Sequence, residues 1–174
     1  MKIILTGAQG TGKTTILEHF VGKLPVITEV VRNLSKQGVK INELGDEEGQ
    51  HRIFNTYVEL LQSPEYISDR CLTDVYAYSL YHFDQGKLSL DELAFEAGEL
   101  EKLAAQKDIL ICYFPIEFGV VDDGVRSTNE NYRQFIDTAI RNTLDSFGFN
   151  YIVVKGTVEE RLRQIEQAAK EFEL

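Results

Sequence analysis

The stretch GAQGTGKTT, residues 7–15, lies between KIILT (2–6) and ILEHF (16–20). Gly7, Gly12, Lys13 and Thr14 match the spacing G-x-x-x-x-G-K-[ST]. The context matches too. A short β-branched apolar run over 2–6 reads as a buried strand, and 14–22 reads as a helix. Glycines let the backbone turn tightly and aim its N–H groups at phosphate oxygens. The start of the next helix adds partial positive charge. Gly7, Gly10, Thr11, Gly12, Lys13, Thr14 and Thr15 are expected to cradle a nucleotide, ATP in the first instance. Lys13 would reach the β- and γ-phosphates, and the Thr14 hydroxyl would ligate Mg²⁺.

The rest of the chain fits one α/β domain over 1–174. A helical turn or two is expected across EVVRNLSKQG (29–38), and helices across DEEGQHRIFNTYVELLQ (46–62), across LTDVYAYSLYHF (72–83), after SLDE (89–92), across NYRQFIDTAIRNTLDSFG (131–148) and after TVEE (157–160). The last two tetrads are capping boxes. Strands are expected at PVIT (25–28), EYISDR (65–70), DILICYF (108–114) and YIVVKG (151–156). Five strands separated by helices imply a parallel sheet covered on both faces, with ligands at the carboxyl ends of its strands.

Composition narrows the function classes. The formal net charge is −10, which argues against broad adhesion to nucleic acid or an anionic membrane. No apolar run approaches the ~20 residues of a membrane span. Cys71 and Cys112 form no metal-ligand pattern and read as buried free thiols. A reducing, cytoplasmic setting is the expectation, as a monomer or homodimer. The histidines, His19, His51 and His82, share no ligand spacing.

The choice of reaction rests on charged residues at other strand ends. SDR (68–70) closes the third strand, on the same edge as the glycine-rich loop. Asp69 could hold Mg²⁺ through water or accept a proton from an acceptor hydroxyl. Arg70 could bind an anionic group of the acceptor; the alternative is a strand-ending turn with a surface ion pair. Glu29 and Arg32, three apart in TEVVR (28–32), share a helical face and could hold a sugar hydroxyl or phosphate, or pair with each other. Tyr76 or Tyr78 could line an acceptor pocket. VVDDGVRS (120–127) is a polar loop whose Arg126 could close over the phosphates as part of a lid over about 119–130. Arg133 is a further candidate.

Together, GAQGTGKTT, TEVVR, SDRCLTDVYAYSLY and VVDDGVRS resemble the small P-loop kinases. The strongest likeness is to the ribosylnicotinamide-kinase domain of the bifunctional NAD-biosynthesis regulator and to AAA-type (AAA_28-like) phage and bacterial relatives. That group has a P-loop, a Glu-x-x-Arg segment and an Asp-Gly-apolar-Arg lid in this order, which fall here on Glu29/Arg32 and on Asp123, Gly124, Val125 and Arg126. The segment from Asp69 is more similar to thymidylate and deoxynucleoside kinases, where an acidic-Arg pair faces the acceptor. The resemblance implies a three-layer α/β/α fold with five parallel strands in the order 2-3-1-4-5, ATP·Mg²⁺ as donor, and a nucleoside or nucleoside-monophosphate acceptor. A hydroxyl in modified DNA is the alternative acceptor. An ATPase switch without acceptor, built on Glu117, is the alternative mechanism.

Overall fold

The computed structural model describes residues 1–119, 122, 124, 125 and 127–172. Five strands, β1 (Lys2–Thr6), β2 (Val26–Ile27), β3 (Tyr66–Ser68), β4 (Ile109–Tyr113) and β5 (Tyr151–Val153), form one sheet in the order β2-β3-β1-β4-β5. Every neighbouring pair is parallel, with Ile4 opposite Ser68 on one side and Ile111 on the other. The expected architecture and strand order are the observed ones.

Alternation along the strands sorts the core onto two faces. Ile3, Leu5, Ile67, Leu110 and Cys112 share a cluster with Ile16, Leu17 and Ile165, the buried apolar side chains of α1 (Lys13–Glu18) and α7 (Val158–Phe172). Ile4, Ile109, Ile111 and Tyr113 face the opposite way. They pack on α2 (Val30–Lys36), α3 (Glu47–Leu60), α4 (Leu72–Asp84), α5 (Leu90–Ala104) and α6 (Glu130–Ser146). All five β4 residues are buried, as a central parallel strand requires. Burying each large side chain there contributes about 1.5–3 kcal/mol.

Local chemistry sets the helix ends. Asp46 accepts from the Gly49 N–H (3.0 Å) and Ser89 from the Glu92 N–H (3.2 Å). Thr157 and Glu160 exchange hydrogen bonds of 2.8 and 3.3 Å, the reciprocal box the sequence predicts. α1 stops at Glu18, short of the expected 22, because His19 caps it and Gly22 turns with φ +81°. Both cysteines are free and buried.

Candidate active site

β1 delivers the chain to Gly7, whose φ is +146° and where a Cβ would sit 2.4 Å from the Phe114 carbonyl oxygen. Only glycine fits this approach. Two buried arginines then hold the loop from behind. Arg133 of α6 donates to the carbonyls of Gln9 (2.9 Å), Gly10 (3.1 Å) and Phe118 (2.8 Å). Arg161 of α7 donates to Thr11 O (2.7 Å) and Gly156 O (2.8 Å), pairs with Glu117, and lies between the rings of Phe114 and Phe118. A trans peptide points its N–H opposite to its C=O. With three successive carbonyls drawn backwards, the N–H groups of Gly10, Thr11 and Gly12 face the other way. They donate to no acceptor among the described residues. Such a row of N–H groups ahead of a helix receives anions.

Lys13 folds into this cradle. Its Nζ donates to Gly7 O (2.6 Å), Ala8 O (2.7 Å) and Thr11 Oγ1 (3.3 Å). Below it lies Asp74, wholly buried, which accepts from Thr6 Oγ1 (2.7 Å), Gly7 N (3.1 Å) and Cys71 N (2.9 Å). Burial pushes the Asp74 carboxyl up, while Lys13 and Arg70 pull it down. The bond to Cys71 N also closes the N-terminus of α4, with the Cys71 sulfur as cap.

The cradle opens into a cleft of about 820 Å³, measured to its open mouth, that also takes in Thr14, Thr15, Glu29, Arg32, Asp69 and Arg70. The P-loop and the β3 end share an edge because their strands are parallel neighbours. Asp69 accepts from the Thr28 hydroxyl (2.7 Å). Glu29 and Arg32 form an ion pair of 2.6 Å, and Glu29 starts α2 from a left-handed backbone (φ +60°). For a residue with a Cβ that conformation is strained, and such strain clusters at functional sites. The Arg70 guanidinium stacks on Tyr78 (5.3 Å to the ring centre) and donates to its hydroxyl (3.0 Å). That hydroxyl reaches Gln9 (3.3 Å), which joins the β3 side to the P-loop.

Past Arg70 the cleft continues into a second pocket of about 340 Å³, again measured to its open mouth. Val31, Ile41, Ile53 and Val75 supply apolar walls, and Gln50, Arg70 and Tyr78 supply polar atoms. Asn42 Nδ2 donates to Val125 O (2.7 Å) and Ser127 to Glu43 (2.5 Å), so Val125 and Ser127 are tied down beside the cleft that Val125 lines. Asp123 and Arg126 lie outside the described residues.

A family profile described as "AAA domain" (AAA_28) matches residues 2–161. The chain belongs to that AAA-domain family. Curated protein sequences give no match. Among solved structures, NadR protein in complex with NR superposes with a TM-score of 0.72 at 18% identity, over 98% of this chain and 51% of the NadR chain. The AAA domain spans about half the length of that relative. Deoxyadenosine kinase from M. mycoides gives 0.66 at 14% identity, over 98% of this chain and 100% of that one. Thymidylate kinase from Candida albicans gives 0.63 at 14%, over 98% and 91%. The fold of this AAA domain is that of the small P-loop kinases.

The expected residues Gly10, Thr11, Gly12, Lys13, Thr14, Thr15, Glu29, Arg32, Asp69 and Arg70 line one cleft, and Tyr78 lines the adjoining pocket. Gly7 supports the cradle from beneath. Arg133, a candidate for the reaction, is 1% exposed and committed to loop carbonyls, so its place here is structural. No group of three or more His, Cys, Asp or Glu that could hold a metal occurs among the described residues. A Mg²⁺ ion fits this donor set in the usual way for phosphate chemistry, held by one or two protein oxygens, phosphate and water. Thr14 Oγ1 and the Asp69 carboxylate are among the protein oxygens on the cleft, with the Glu29 carboxylate and the Thr11 and Thr15 hydroxyls.

Sequence reading passed over Glu96. It is wholly buried on α5, accepts from Ser79 Oγ (2.8 Å), and its Oε2 has no partner. Burial pushes its carboxyl up to about 9. A group whose folded-state value is raised stabilises fully below its unfolded value near 4.5 and loses that contribution as the pH rises through about 9. Glu96→Gln should raise stability on the order of 2–4 kcal/mol at pH 8 and far less at pH 5. Urea melts at the two pH values read the difference; an equal change at both contradicts it.

Proposed function

We propose that this AAA domain is an ATP- and Mg²⁺-dependent phosphotransferase that moves the γ-phosphate to a nucleoside or nucleoside monophosphate. One observation carries the reading: the phosphate cleft, which Asp69 lines, and an adjoining pocket with apolar walls meet at Arg70. A donor phosphate and an acceptor hydroxyl would converge there, and phosphoryl transfer is mostly positioning and charge stabilisation. The similar structures hold small molecules of the same kind: NR in NadR, dCMP and dCDP in deoxyadenosine kinase. That supports the acceptor class.

In this scheme the N–H row binds the phosphates, and Lys13 leaves its carbonyls for the β- and γ-phosphate oxygens. Thr14, and Asp69 through water, would hold Mg²⁺, which neutralises charge on the phosphates when bound. Asp69 would also orient the acceptor hydroxyl or take its proton. Glu29, Arg32 and Arg70 would bind the sugar or an acceptor phosphate. The segment 119–130, with Arg126, would act as the lid that keeps water out.

The other readings have less support. Glu117, the carboxylate a switch ATPase would need, pairs with Arg161 and accepts from the Gly156 N–H (3.2 Å) instead of lining the cleft. A DNA acceptor fits poorly with a net charge of −10. The test is a transfer screen with γ-labelled ATP across nucleosides and their 5′-monophosphates. Label in a small-molecule product, lost by at least about 100-fold in Asp69→Asn and retained in Glu117→Gln, is expected. ATP hydrolysis with no labelled acceptor overturns the reading.

A further inference from the structure

Gln50 stands on α3, 3% exposed, and lines the second pocket. Its side-chain amide is oriented by two groups on α4. Nε2 donates to Ser79 Oγ (3.1 Å) and approaches the carbonyl of Val75 (3.4 Å), both on α4. A backbone carbonyl only accepts, so a flipped amide would set oxygen against oxygen there. With Nε2 set toward α4 by the Val75 carbonyl, Ser79 accepts from Gln50 and passes its own hydroxyl proton to Glu96 Oε1 (2.8 Å), so Nε2 is consumed inside the fold. The carbonyl oxygen Oε1 accepts from no described residue, and it is not among the sealed polar atoms. It is left for the pocket.

We propose that Gln50, its orientation fixed through Val75, Ser79 and Glu96, offers a single hydrogen-bond acceptor to the phosphate acceptor, which carries an N–H donor on a flat apolar ring: the amide, imide or exocyclic amine edge of a nucleobase-like group. This rests on the phosphotransferase reading and narrows it. Val31, Ile41, Ile53 and Val75 cover the faces of such a ring, and the ribose side falls toward Asp69 and Arg70. A ring that cannot donate leaves Oε1 facing it unpaired, and buried unpaired acceptors discriminate strongly. Ser79 and Glu96 are positioning residues, since neither lines the pocket.

The experiment measures binding by calorimetry, and phosphate transfer separately, for matched pairs of probes. The pairs are uridine and 3-methyluridine, cytidine and N4,N4-dimethylcytidine, adenosine and N6,N6-dimethyladenosine, and ribosylnicotinamide and its N,N-dimethylamide. Each is used as the nucleoside and as the 5′-monophosphate. At least one parent should bind, and its methylated partner should bind about tenfold or more weakly. Gln50→Leu should erase that ratio. Ser79→Ala should narrow it by loosening the amide, and Glu96→Gln, which keeps an acceptor for Ser79, should preserve it. The ratio within one folded variant is insensitive to general damage. Equal binding of parent and methylated probes, or an unchanged ratio in Gln50→Leu, overturns the proposal while leaving the kinase reading intact. Discrimination in binding without any transfer supports the proposal and removes the kinase reading. Failure of every probe to bind removes both.

Discussion

Lys13→Met should lower phosphate transfer by about 10³-fold while the protein stays folded. The Lys13 ammonium is the positive charge seated within the cradle, where water is scarce and a fixed charge is worth most in the transition state. Its present partners, the carbonyls of Gly7 and Ala8 and the Thr11 hydroxyl, are held at 2.6 to 3.3 Å. They mark a resting place from which the side chain moves when phosphate oxygens compete for it. Methionine keeps the length and loses the charge. The three oxygens then lose a donor, at a cost of about 1–2 kcal/mol. A thermal melt beside the transfer assay separates that small loss from the catalytic one. Transfer within tenfold of wild type would mean that Lys13 does not meet the reacting phosphate.

Asp74→Ala should destabilise the fold by about 3–5 kcal/mol. It strands three donors, the Thr6 hydroxyl and the N–H groups of Gly7 and Cys71, in a site with no exposure. It also undoes the cap of α4 and the floor of the P-loop at once. Asp74→Asn is the finer instrument. One amide oxygen can still serve Thr6 and Cys71, but the amide NH₂ then opposes the Gly7 N–H. The fold should survive at a cost nearer 1–2 kcal/mol, with KM for ATP raised because the first residue of the loop is displaced. Urea denaturation and ATP titration read the two effects. A fully stable Asp74→Ala protein would contradict this account.

Much of this was legible in sequence because the signals were local. The P-loop spacing, the box at Thr157–Glu160, the Ser89 cap and the apolar run of β4 each fit within a few residues. The other half of the box expected at Ser89–Glu92 is replaced, since the Ser89 N–H donates to Glu47 and Glu92 meets His51. Parallel pairing then put Asp69 and Arg70 on the edge that carries the P-loop. What escaped depends on distance along the chain. Arg133 meets Gly10 across 123 residues and Arg161 meets Thr11 across 150, and no window of sequence contains both partners. Arg133 therefore looked like chemistry when its work is support. Asp74 was nearer to being found: Cys71-x-x-Asp74 has the form of a capping box, hidden because cysteine is not a usual cap. Gln50, Ser79 and Glu96 sit on three different helices and meet only once those helices pack.

The two arginines behind the P-loop also bear on how the protein is made. The loop is synthesised well before α6 and α7, yet arginines of those helices gather its carbonyls. Contacts of such long sequence separation are slow to close in folding. On the ribosome, a growing chain would hold the whole glycine-rich motif without these supports until α6 and α7 emerge. A chain cut short of Arg161 would carry every residue of the motif and lack the bond that draws the Thr11 carbonyl into place.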